Sequence, residues 1–366
     1  MENNIGFIGQ SPHASNAQPN LPSTLVSNLG IYTPHCPPHA TFANPKRLGL
    51  GAMGYGMAAN VRKQMDSTAT LYINDVHGPT CEKFKAEFSS IGPVEIVETA
   101  KSVAEKAQSI ISIVPTGHIV KDVYLNPETG VIAACQTCST LQNAQRLYLE
   151  CSTIEVETAK DVVAQLNKAG MGSYVDTPVS GGKPAADKGT LSFLIGAPEA
   201  PEGIELDSIS KRLRTIAGYM GPANKAFFCG EAGNGLAAKI CNNYLSCTIL
   251  LANCEAMAFG RKLGLDKHLL HKVIHNSTGQ NFMLDHVNPV PGVVAHAPSS
   301  NEYAPGFKSQ MLVKDVGLGV DAARSVGINP SIGSAAIKTF EKAGNDPICF
   351  DKDGSVVYRW LGGPED

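Results

Sequence analysis

Neither sign of charge dominates this sequence. Thirty lysines and arginines stand against 33 aspartates and glutamates, a net charge of −3, so the broad basic surface that attracts nucleic acid or an anionic membrane is not expected. Long apolar runs are missing too. The longest, "YLSCTILLA" at 244–252, is about half a membrane span and is bracketed by Asn242, Asn243, Asn253 and Glu255. The opening "MENNIGF" has Glu2 and no arginine, so it reads as neither a secretory signal nor a transit peptide. Regular cysteine spacing is absent as well: the ten cysteines fall irregularly, several in apolar runs, and read as reduced core residues. Cys135 and Cys138 form a CxxC with no second pair at zinc-finger spacing. The scattered histidines also lack metal-ligand spacing, and no metal centre is expected.

What is present describes a globular protein long enough, at 366 residues, for two domains. From about residue 50, short apolar strands alternate with helices. "GAMGYGMAANVRKQ" reads as a helix behind a glycine turn, "ATLYINDV" as a strand, and "TCEKFKAEF" and "SVAEKAQ" as helices. "SIISIVP", "RLYLECST" and "GSYVDTPVS" read as further strands, with helix "VETAKDVVAQLNKAG" between the last two. That rhythm argues a parallel sheet covered on both faces. Near residue 230 the texture changes. "NGLAAKICNNYLSCTILLANCEAMAFGRKLG" has no proline and is apolar nearly all round, as a helix buried in a helical domain or at a subunit interface would be. The helical stretches "DKHLLHKVIHNST", "KSQMLVKDVGLGVDAARSVG" and "IGSAAIKTFEKA" follow. The expected fold is therefore α/β. A Rossmann-type doubly wound parallel sheet over 1–225 precedes an all-α domain over 226–348, built on one long helix, and a tail over 349–366.

Gly49-Leu50-Gly51-Ala52-Met53-Gly54 is a GxGxxG opening a helix, where backbone N–H groups can approach a pyrophosphate. Asp75 ends the next strand, placed to accept from adenosine ribose hydroxyls. No arginine follows within ten residues to meet a 2′-phosphate, so NAD is expected over NADP. Residues 10–49 interrupt this pattern: seven of the 23 prolines lie there, without apolar periodicity. Removing them joins "NIGFIG" directly to "LGAMGYGMAANV". The stretch reads as an irregular insertion at the mouth of the cofactor site, of the kind a translated intron would leave, with "NIGFIG" as the first strand.

Lys239 and Asn243 are four apart on the long helix and share a face. A partly desolvated lysine has a lowered pKa and can trade a proton with an alcohol near neutrality, while Asn243 could donate to the substrate oxygen. Either could equally be structural, a snorkelling lysine and a satisfied interior amide. Ser180-Gly181-Gly182 follows a strand and offers a hydroxyl and two backbone N–H groups to a carboxylate, or is an ordinary glycine-rich loop. By itself Lys314-Asp315 reads as a surface charge pair.

Together these pieces resemble the β-hydroxyacid dehydrogenase family. "GLGAMGYGMAANV" is similar to its cofactor fingerprint, "CSTIEVET" to its Ser-Thr-Ile turn, and "DTPVSGGKPAADKGTL" to its substrate loop. "GNGLAAKICNN" is similar to its catalytic helix and "YAPGFKSQMLVKD" to its C-terminal segment. "NPVPGV" after "NSTGQNF" looks most like the 3-hydroxyisobutyrate dehydrogenases of that family. The resemblance implies Lys239 as catalytic acid/base and Asn243, Ser180, Gly181 and Gly182 as substrate contacts. It implies Gly51, Ala52, Met53, Gly54, Asp75, Val114, Pro115, Thr153 and Lys314 as cofactor contacts. It further implies a short hydroxy-acid substrate, NAD, valine catabolism, a homo-oligomer and a mitochondrial setting, with cytoplasm the alternative. "KPAAD" departs from the family's more usual Gly-Ala after the cradle. The competing readings are a tartronate-semialdehyde-type reductase and a non-catalytic cofactor-binding protein impaired by the insertion.

Overall fold

The computed structural model describes residues 4–9, 50–200 and 209–366. The expected insertion at 10–49, and with it Gly49 of the fingerprint, lies outside them. Six parallel strands form the main sheet: β1 (Ile5–Gly9), β2 (Leu71–Asp75), β3 (Val94–Ile96), β4 (Ser109–Ile113), β5 (Leu147–Glu150) and β6 (Ser173–Asp176), in the order β3-β2-β1-β4-β5-β6. This is the doubly wound order, with its reversal between β1 and β4. "IGFIG" is indeed a central strand, buried throughout and paired with both β2 and β4. Its side chains divide by the strand period, Ile5 and Phe7 entering one core and Ile8 the other.

The helices that cover the sheet are α1 (Gly54–Gln64), α2 (Gly78–Phe88), α3 (Ala100–Lys106), α4 (Gly117–Leu125), α5 (Thr140–Ala144) and α6 (Val156–Lys168). "GSYVDTPVS" does not run as one strand. It breaks at Thr177-Pro178, because Pro178 has no N–H to continue a ladder, and restarts as β7 (Val179–Ser180). β7 pairs antiparallel with β8 (Ser192–Ile195), which pairs in parallel with β9 (Ala226–Phe228), while α7 (Gly182–Lys188) and α8 (Ile209–Gly218) fill the connections.

The long helix α9 (Asn234–Lys262) then carries α10 (Lys267–His275), α11 (Phe282–His286), α12 (Ser309–Ser325), α13 (Ser331–Gly344) and α14 (Val357–Trp360). Cys247, Leu250, Cys254 and Met257 of α9 share one core with Leu312 and Val316 of α12 and Phe340 of α13. The last stretch, read as a tail, folds onto that core, and its Val356, Val357 and Tyr358 are fully buried. Among the described residues the nine cysteines are all free, and no helix is long and apolar enough to cross a membrane.

One carboxylate joins the sheet to α9. Asp176, last residue of β6, accepts from Gly233 N at 2.7 Å and Leu236 N at 2.9 Å, capping a helix whose own N-cap is a glycine without a side chain. The approach is close enough to dictate sequence around it. A Cβ on Gly196 would strike the Asp176 carboxylate, and one on Gly235 would strike Leu194 O. Replacing Asp176 with Ala would orphan two buried N–H groups. Denaturant unfolding of Asp176→Ala should show a loss of about 2–4 kcal/mol; a loss within error of zero would mean that the cap is dispensable.

Candidate active site

The C-terminal ends of the central strands lie in register. Gly9 pairs with Asp75 on one side and Ile113 on the other, so the ends of β1, β2 and β4 meet at one edge. α1 starts there with no side-chain cap and no acid in its first turn, which leaves its leading N–H groups available to an anion. Gly54 lets this helix approach the sheet: a Cβ there would lie 3.1 Å from Ile113 Cγ2 and 3.3 Å from Phe7 Cε1. Asp75 Oδ1 accepts from His77 N at 2.7 Å, whereas its Oδ2 is buried with no hydrogen-bond partner among the described residues. Burial pushes the Asp75 carboxyl up to about 7. An acceptor left empty at this point fits the ribose hydroxyls of a dinucleotide, and the open helix terminus fits its pyrophosphate.

One row further into the sheet, Ser112, Glu150 and Asp176 are successive register partners across β4, β5 and β6. Ser112 Oγ donates to Glu150 Oε2 and lies 2.6 Å from Tyr124 Oη. Ser152 N donates to Glu150 Oε1 at 2.8 Å, and Val114 N donates to Ser152 Oγ at 2.7 Å. Glu150 thus fixes the turns after β4 and β5, the turns that carry Val114, Pro115 and Thr153. Burial raises its carboxyl to about 7 against hydrogen bonds that lower it. The sequence reading assigned Glu150 no role; the available signal was a lone acid closing the apolar strand "RLYLE".

On the helical side, Lys239 and Asn243 are both buried, at 7% and 8% exposure. Burial lowers the Lys239 ammonium to about 8, and the nearby Asp315 carboxylate opposes that shift. Among the described residues Lys239 Nζ has no hydrogen-bond or ion-pair partner. Asn243 Nδ2 donates to Asp315 Oδ2 at 2.6 Å, which uses one amide hydrogen and leaves the second for a ligand. Lys314-Asp315 is not the surface charge pair that it suggests in isolation. Asp315 is 3% exposed because α12 packs it against α9. Lys314 Nζ lies 3.6 Å from Asp315 Oδ1 and donates to Pro115 O at 3.1 Å, so the pair bridges from the long helix to the turn after β4.

Ser180, Gly181 and Gly182 end β7 and open α7, so the stretch that could pass for an open loop is a helix start. Both glycines take positive φ, 134° and 66°, which turns the chain from strand to helix. β8 connects this turn to α9: Ser192 pairs with Ser180, and Leu194 O packs against Gly235 in the first turn of α9. Pro115, Lys314, Asp315 and Asn243 are thus joined by direct contacts, with Lys239 one helical turn away. Met53 and Gly54 stand at the α1 end of the same strand edge.

Comparison with known proteins identifies the family of the fold. Residues 47–218 match the family model described as the NAD-binding domain of 6-phosphogluconate dehydrogenase, and residues 233–361 match the one described as NAD-binding of NADP-dependent 3-hydroxyisobutyrate dehydrogenase. The human mitochondrial 3-hydroxyisobutyrate dehydrogenase is 35% identical over 318 residues, covering 86% of this chain and 85% of that protein. The Pseudomonas aeruginosa 3-hydroxyisobutyrate dehydrogenase is 36% identical over 293 residues, 80% of this chain and 89% of its own. Among solved structures, the Mycobacterium tuberculosis 3-hydroxyisobutyrate dehydrogenase with L-serine is 28% identical with a TM-score of 0.73, covering 99% of both chains. The fold and these relatives together define an oxidoreductase that uses a nicotinamide dinucleotide on a hydroxy acid. The chain belongs to the β-hydroxyacid dehydrogenase family.

Glu150 generates a test of the edge. Its pKa is raised from an ordinary 4.5 to about 7, so the folded state holds a proton there that the unfolded chain has already released. The corresponding stability is complete below about pH 4.5 and is lost as pH rises through about 7. Glu150→Gln keeps one acceptor oxygen for Ser152 N, turns the other position into a donor toward Ser112 Oγ, and removes the titration. Its unfolding free energy should therefore decline less than that of the parent chain between about pH 5 and about pH 7, and parallel profiles would contradict the assignment.

Proposed function

We propose that the protein oxidises 3-hydroxyisobutyrate, or a close short 3-hydroxy acid, to its semialdehyde with NAD, as a step of valine catabolism. The reading rests above all on Lys239, a buried amine lowered to about 8, without a partner among the described residues and beside an asparagine that a buried carboxylate orients. Ser180 Oγ and the N–H groups of Gly181 and Gly182 hold the substrate carboxylate. Asn243 and Lys239 hydrogen-bond the hydroxyl. In oxidation Lys239, neutral beforehand, takes the hydroxyl proton; in reduction its ammonium returns it. The nicotinamide supplies the hydride acceptor when bound. Gly51, Ala52, Met53 and Gly54 receive the pyrophosphate at α1, Asp75 the adenosine ribose, and Val114, Pro115, Thr153 and Lys314 the remainder of the cofactor. NAD is preferred because the exposed residue after Asp75 is Val76 and no arginine lies near it in sequence. The dinucleotide-binding and helical parts divide near residue 225, and the human and rat relatives, named as mitochondrial, support that compartment.

The decisive assay is turnover of purified protein with NAD and 3-hydroxyisobutyrate, with tartronate semialdehyde tested in the reductive direction. kcat/KM for oxidation should rise with pH and level off above about 8, as Lys239 loses its proton, and the reductive rate should fall over the same range. Lys239→Ala should cost about 10²–10⁴-fold in kcat while still binding NAD. Binding of NAD with no turnover of either acid would favour the non-catalytic reading, and preferred reduction of tartronate semialdehyde would reassign the substrate.

The protein is also proposed to self-associate. Exposed Leu245 of α9, Val326, Ile328 and Ile332 line an apolar groove of about 1000 Å³ between α6, α9 and α12, which a second copy would cover. Light scattering at micromolar concentration should give at least a dimer mass; a monomer would end this reading.

A further inference from the structure

Far along α9 from Lys239, and against the expectation that the histidines lack metal-ligand spacing, the fold gathers three metal-type ligands in one spot. His271 and His275 are four apart on α10 and project from the same side, and α11 brings Asp285 against them. One ligand atom from each, two ring nitrogens and a carboxylate oxygen, lies within 4.8 Å of the others. Asp285 Oδ1 sits 2.8 Å from His275 Nδ1 and 3.5 Å from His271 Nε2. The other oxygen, Oδ2, accepts from Gln280 Nε2 at 2.7 Å. His271 Nε2 is buried and has no hydrogen-bond partner among the described residues. A buried ring nitrogen turned toward a carboxylate that its neighbour already engages is poorly satisfied as a hydrogen-bonding group. It is well placed as a ligand.

We propose that His271, His275 and Asp285 form a binding site for a divalent transition-metal ion, Zn²⁺ by ligand type. Two imidazoles and one carboxylate suit zinc, which such groups hold at about 2.0–2.2 Å. Gln280 orients the carboxylate from behind, as outer partners of metal ligands do. His275 is half exposed, which gives the ion a way in and leaves the fourth position to water. The ion is structural and takes no part in the reaction. Asn281, the N-cap of α11, pairs with Asn253 of α9 at 2.9 Å. Asn253 is about 21 Å along the helix from Lys239 at 1.5 Å per residue. Bound there, the ion ties α10 to α11 across the turn at 276–281.

The test uses the full chain stripped with a chelator and titrated calorimetrically with Zn²⁺ alone, then with Co²⁺ to read the visible absorption of the bound ion. The site requires one equivalent bound saturably, a Co²⁺ spectrum of low coordination number, and a raised thermal midpoint. His275→Ala, at an exposed position that tolerates truncation, should abolish the binding, and His271→Gln should do the same. Gln280→Ala should weaken it by about tenfold while leaving all three ligands in place. No saturable binding by the parent chain would overturn the proposal. So would undiminished binding in both histidine variants, which would place the ion elsewhere, for instance on the free thiols Cys135 and Cys138.

Discussion

The capping of α9 by Asp176 is the contact on which the rest of the site depends. β6 belongs to the parallel sheet and α9 to the helical part, and the carboxylate between them accepts from Gly233 and Leu236 at the very start of the helix. Lys239 comes one turn later and Asn243 two turns later, so their position relative to the sheet edge is set by those two hydrogen bonds. Burial pushes the Asp176 carboxyl upward while the backbone donors pull it down. An anion at a helix N-terminus is favourable, and in a water-poor interior it is held more firmly than at the surface. The glycines at 196 and 235 follow from this contact, because nothing larger lets sheet and helix come so close.

A second bridge closes the frame from the other side. Lys314 reaches the turn after β4 through Pro115 O, and its neighbour Asp315 holds Asn243. The N-terminal end of α9 is therefore clamped at its start by β6 and in its third turn by α12. Orientation of this kind is worth more to a hydride-transfer enzyme than any added contact, since the reacting groups must meet with little freedom left to lose. Among the described residues it leaves Lys239 Nζ without a hydrogen-bond or ion-pair partner, and Asp315 Oδ1 without a hydrogen bond.

Much of this was legible in the sequence, and the reasons are local. "IGFIG" reads as a central strand because it is short, apolar and ends in glycine, and the strand pairs on both sides as such a segment must. The long helix, the strand ending at Asp75 and the Lys239/Asn243 face follow from periodicity alone. What escaped depends on contacts between distant segments. α4 has no counterpart in the sequence reading, which goes from the strand "SIISIVP" to "RLYLECST", although a helix begins at Gly117. Asp315 reads as half of a surface pair until α12 packs on α9. Glu150 looks like an incidental strand end until Ser112, 38 residues away in sequence, meets it. His271 and His275 carry helical spacing in plain view, but the carboxylate that makes them a cluster arrives from the next helix.

The pattern of satisfied and unsatisfied groups also sorts structural residues from ligand-binding ones, where residue type cannot. Asp75, Glu150 and Asp176 are three acids at the C-terminal ends of parallel strands, and burial raises the pKa of each. Asp176 has backbone donors on both oxygens, and so its work is to hold the helix. Glu150 has a hydroxyl on one oxygen and a backbone N–H on the other, and so it holds the turns. Among the described residues, Asp75 alone of the three keeps a buried oxygen with no donor. Leaving a carboxylate oxygen dry and unpaired costs a folded chain more than it can recover internally, and the cost makes sense where a bound partner brings the missing hydroxyls. Lys239 Nζ, without a hydrogen-bond or ion-pair partner among the described residues, is consistent with the same reading on the helical side.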